Sequence, residues 1–145
     1  MPSVIPFEKC VARPSENGKI YWLKDHLHGV KDFIEERIQD SDVLLIRLAG
    51  LAGICHDMAK SHVEWQNYIN GQLSRDPNHA PEGAFLFSYL GYNLLKSENR
   101  WKDYAVYWLW LTRDIADHHG QLKILPSISH NVPSIKEVFA KQKFG

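Results

Sequence analysis

The chain has few cysteines, only Cys10 and Cys55 among 145 residues. With no CxxC pair and no spaced cysteine framework, a disulfide-stapled fold is not expected, and a reducing, intracellular setting is the simplest reading. Charge of one sign is missing too. Seventeen basic residues balance seventeen acidic ones, so no global basic field advertises nucleic acid, and a polyanion would have to be held by local charge or by metal. Nor is there a long hydrophobic run: LLIRLAGLAGIC is short and broken by Arg47, so no membrane span is expected. MPSVIPFEKC lacks a basic stretch followed by an apolar one, so the expected location is cytoplasmic. There is no internal repeat, low-complexity tract or sustained heptad.

What is present is a 44% hydrophobic, 12% aromatic chain, enough for one soluble domain spanning residues 1–145 with a sizeable core. Met1 to Lys19 carries Pro2, Pro6, Pro14 and Gly18 and reads as an irregular arm. From Ile20 to about Gln39, Leu23, Leu27, Val30, Phe33, Ile34 and Ile38 recur at helical steps. His26 falls on that apolar stripe, either as a hydrogen-bonded core histidine or as a ligand; His28 falls on the opposite, solvated side.

A second helix is expected from about Asp42 to Ala59, apolar on nearly every side and so packed all round. Its Gly50 and Gly53 weaken helix propensity, and close approach of a neighbouring helix is the expected return. Near its end stand His56 and Asp57, with Lys60 one turn on. HVEWQNYI continues helically with Trp65 and Ile69 on one side, and His62 is expected to be exposed. After a loop punctuated by Gly71 and Asp76-Pro77, Asn78 is a candidate cap for a helix running from His79 through AFLFSYLGYNLL. Ser97 to Lys102 reads as a charged link. YAVYWLWLTRDIADHHG then makes an aromatic helix ending at Gly120, its final His118 and His119 either partial cations against the dipole or metal ligands. A last short helix from Ser134 begins with a capping-box pattern.

Neutral imidazole and carboxylate are both ligands for divalent metals, and Asp can bridge two ions. His26, His56, His79, His118, His119 and Asp57 together exceed what core hydrogen bonding needs. An all-helical domain gathering them has the chemistry of a one- or two-metal hydrolase, in which Lys60 holds a phosphate or stabilises negative charge.

The runs DHLHGV, LAGICHDMAKSHVEWQNYI, NHAPEGA and IADHHGQL resemble the HD superfamily of metal-dependent phosphohydrolases, and more closely its CRISPR-associated nuclease branch, stand-alone or helicase-linked. The resemblance spans Leu23 to Leu122. It implies an all-α HD-domain helical bundle with a metal centre among the helices. It further implies a nuclease acting on single-stranded DNA, with RNA as a second polymer, beside a CRISPR helicase and an RNA-guided surveillance complex. Its cofactors would be one or two divalent ions: Mn, Ni, Co, Fe, Zn or Mg. Carried over by position, His26, His56 and Asp57 hold one ion; Asp57 bridges to a second held by His79, His118 and His119; Lys60 takes the phosphate-side role. One departure stands out. The family's closing aspartate from a later helix has no counterpart after Asp117, where Glu137 is the only acid. The chain is short for that family, which suggests a minimal or C-terminally truncated version. Two other functions remain open: an HD-type nucleotide phosphohydrolase, and a catalytically incomplete HD docking module.

Overall fold

A computed structural model describes residues 5–72 and 77–118. Where proline and glycine suggested an irregular arm, it has a hairpin. After a 3-10 turn at Phe7–Lys9, strand β1 (Val11–Glu16) pairs antiparallel with β2 (Lys19–Trp22). Asn17 and Gly18 between them take φ of 51° and 77°, the mirror-image two-residue turn whose twist suits paired strands. Most of the strand side chains are exposed, so no apolar alternation marks the hairpin in the sequence. It is anchored through Cys10 and Ala12, which pack on Leu23 and Leu27.

Helix α1 (Leu23–Arg37) buries Leu23, Leu27, Val30 and Ile34, the expected stripe. It starts later than the periodicity suggests because Ile20 to Trp22 belong to the ladder. Asp42 caps α2 (Val43–Cys55), accepting from the Leu44 N–H at 2.8 Å. This helix stops at Cys55 rather than Ala59. A 3-10 turn at Met58–Ser61 follows, then α3 (Val63–Ile69). Helix α4 (Ala80–Ser97) and helix α5 (Trp101–Asp117) complete the bundle, α5 beginning inside the segment that reads as a charged link.

The main core lies where α2, α4 and α5 meet, around Leu48, Ala52, Cys55, Phe87, Leu95 and Ile115. A smaller cluster of Val30, Ile34 and Ala49 joins α1 to α2. The architecture is the expected helical bundle, with the hairpin added. Among the described residues no helix is long and apolar enough to cross a membrane. Residues 119–145, with His119, Glu137 and the expected last helix, lie outside the described residues.

Candidate metal centre

The helix ends, rather than the helix middles, carry the chemistry. His26 sits in the first turn of α1, His56 is the C-cap of α2, His79 is the N-cap of α4 and His118 is the C-cap of α5. Asp57 follows His56 directly and leaves helical geometry at φ −119° and ψ 13°. That departure ends α2 early and lets the carboxylate turn inward. The Lys60 N–H then closes on the Asp57 carbonyl at 3.0 Å.

Four imidazoles and one ammonium converge on the Asp57 carboxylate. Oδ2 lies 3.0 Å from His26 Nε2, 3.1 Å from His56 Nε2 and 3.1 Å from Lys60 Nζ. Oδ1 lies 2.9 Å from His79 Nε2 and 3.0 Å from His118 Nε2. His56, Asp57 and His79 are buried, and His26 and His118 partly so. Two groups result that could hold a metal ion, His26–His56–Asp57 and Asp57–His79–His118, with Asp57 common to both. The divided ligand set expected from the resemblance is therefore brought together for five of its six residues; His119 lies outside the described residues.

The tautomers decide what this cluster can do. His56 Nδ1 faces the Gly53 carbonyl, and His118 Nδ1 faces the Ile115 carbonyl at 2.6 Å. A carbonyl oxygen only accepts, so both Nδ1 atoms carry protons. In the neutral rings the Nε2 lone pairs therefore point at carboxylate oxygens, which also only accept. Two ways remain to make the His56 and His118 contacts favourable: protonate both rings, or place a cation among them. Two imidazolium ions and Lys60 around one carboxylate would leave net positive charge in a buried site, at a desolvation cost. A divalent cation brings comparable charge but takes the imidazole lone pairs and the carboxylate oxygens directly as ligands. The ligand atoms of each group lie within 4.8 Å of one another, close enough to share one ion. The backbone-bonded Nδ1 atoms of His56 and His118 are the outer contacts that orient such ligands.

Three supports escape a reading of the sequence. Trp65 is buried, packs edge-on to His79 at 6.2 Å and lies 4.8 Å below the Lys60 ammonium. Gln66 is 2% exposed; its Nε2 donates to the Lys60 carbonyl at 2.7 Å and the Val11 carbonyl at 3.0 Å, while its Oε1 accepts from the Val11 N–H at 3.0 Å. It ties hairpin, turn and α3 together. His62, expected to be exposed, is half-buried and pairs with Glu82 at 2.8 Å. His28 is exposed as expected.

Cys55 adjoins His56 but belongs to neither ligand group. Burial pushes its thiol up to about 12, so it stays protonated and apolar. No family model, no curated protein and no solved structure matches the chain.

Proposed function

We propose that this chain is a metal-dependent phosphodiesterase that cleaves single-stranded DNA, with RNA as a second polymer. The observation that carries the reading is the buried Asp57 carboxylate faced by four imidazole Nε2 atoms, two of them fixed as lone-pair donors by their Nδ1–H bonds. His26, His56 and Asp57 would hold one ion, and Asp57, His79 and His118 a second. The imidazole-rich donor set favours transition ions, among Mn, Fe, Co, Ni and Zn, over Mg. When bound, such ions supply an activated water and neutralise charge on a phosphoryl oxygen.

The chain's own residues do the rest. Asp57 joins the two groups, and its position is set by the backbone turn at the end of α2. Lys60 stands 3.1 Å from Asp57 Oδ2, propped on Trp65. From there its ammonium can turn to a substrate phosphate and stabilise the charge that develops on cleavage. Recognition by backbone phosphate asks for no base contacts and suits a chain of zero net charge. The choice of single-stranded DNA, and of a CRISPR helicase and surveillance complex as partners, rests on the HDMAK, WQNYI and HHG runs.

The test is cleavage of circular single-stranded DNA by the purified chain with manganese, beside Asp57→Ala. Linearisation by the wild type alone supports endonucleolytic cleavage. Hydrolysis of a nucleotide panel with intact circles would replace it with the nucleotide phosphohydrolase. No turnover of either, with tight binding to a helicase partner, would leave the docking module.

A further inference from the structure

Two glycines flank the segment that carries His56 and Asp57, and each faces a different helix. Gly83 lies in the first turn of α4, four residues after His79, and its N–H donates to the His79 carbonyl at 3.2 Å. A Cβ there would stand 2.6 Å from the Cys55 carbonyl oxygen and 2.8 Å from that of His56. Both are backbone atoms at the end of α2, so neither can rotate away. On the other side, a Cβ at Gly53 would meet Ile34 Cδ1 at 2.9 Å and Lys31 Cα at 3.3 Å, the body of α1. The Gly53 carbonyl is also the acceptor that orients His56.

The two separations act on different pairs of helices, α1–α2 and α2–α4, although the Gly83 contact falls on the carbonyl of His56 itself. Separation of α2 from α1 moves His26 away from Asp57 and disturbs the bond that aims His56. Separation of α2 from α4 moves His79 away, and His118 with it, because α5 is packed on α4 through Trp108 against Gly91. Resting on the metal reading above, we infer that Gly53 and Gly83 are positioning residues acting on different groups: Gly53 sets the His26–His56–Asp57 group, and Gly83 sets the Asp57–His79–His118 group. Each therefore governs the loading of one ion. A role in general packing would not separate the two.

The experiment counts bound ions rather than turnover. Full-length wild type, Gly83→Ala and Gly53→Ala are loaded with manganese, freed of excess and measured for metal per chain, with far-ultraviolet circular dichroism alongside. Two ions are expected in the wild type and one in each variant, with helical signal unchanged. In Gly83→Ala, adding His26→Ala should empty the remaining group while adding His79→Ala should change nothing; in Gly53→Ala the pattern should reverse. Two ions retained in Gly83→Ala, loss of both, or loss of its helical signal would overturn the assignment, since the displacement is then absent or not local. A wild type that takes up one ion overturns it and leaves the proposed function standing, whereas one that takes up none overturns both.

Discussion

Asp57 does for the centre what no histidine does singly, because both ligand groups need it. Asp57→Asn keeps the side chain's size and removes its charge, and should abolish manganese uptake and cleavage together. Lys60→Ala should separate the two: ion count unchanged, cleavage slower by roughly 10² to 10³, the usual effect of losing one charge-stabilising donor. Metal analysis beside single-turnover cleavage checks both. At this scale the sequence was informative about faces. Helical spacing alone separates His26, which reaches Asp57, from His28, which faces solvent. It was silent about Gln66 and Gly83, whose roles depend on which backbone lies opposite. The cysteines carry a prediction of their own. Burial raises both thiols, Cys55 to about 12 and Cys10 by burial with a contribution from Glu8. Ellman's reagent at neutral pH should find almost no reactive thiol in the folded chain and two after denaturation.

Between elements, Gln66 is the clasp that holds β1 and the Lys60 turn to α3. Gln66→Met keeps length and apolar packing but leaves the Val11 N–H and the Val11 and Lys60 carbonyls without that partner. The expected loss is roughly 2 to 4 kcal/mol in urea unfolding, larger than for an exposed polar change. The cap of α2 responds to acid. The Tyr104 hydroxyl, then the Leu44 N–H, hold the Asp42 carboxyl below its ordinary value. A lowered folded value means that its stabilisation is complete above the unfolded value of about 4 and is lost as pH falls through the folded one. Asp42→Asn keeps an acceptor oxygen and should flatten that part of the melting-temperature profile below pH about 4. Helices with long apolar stripes were legible. The hairpin was not, because its strands are mostly exposed and its signal is the Asn17-Gly18 turn. The early end of α2 was also hidden: Asp57 leaves the helix to reach ligands that lie far off in sequence, which no local propensity records.

At the scale of the whole molecule, the two candidate metal groups join the ends of α1, α2, α4 and α5, the same helices that the core clusters pack together. Ions that bind the folded chain and not the unfolded one stabilise it by about 2.7 kcal/mol at a hundredfold excess over Kd. Chelation should therefore lower the melting temperature by roughly 5 to 10 °C. Acid should act in the same direction, since protons compete with metal for imidazole. A melting temperature indifferent to chelator would count against the centre. The bundle itself followed from the order of amphipathic segments. From the residues the centre was legible as a surplus of histidines, and from the resemblance as two groups sharing Asp57; the meeting of four Nε2 atoms on one carboxylate required the three-dimensional arrangement.

The ligands also arrive at different times. His26 is 31 residues from Asp57, whereas His118 is 61 residues beyond it. As a chain leaves the ribosome, the α1–α2 pair has all three donors of the first group once residue 57 is out; the second group waits for the end of α5. An ion captured early would cross-link two helices before their partners exist. Nascent chains stopped after α3 would then already resist proteolysis in manganese, and assembly would proceed from one half of the centre to the other.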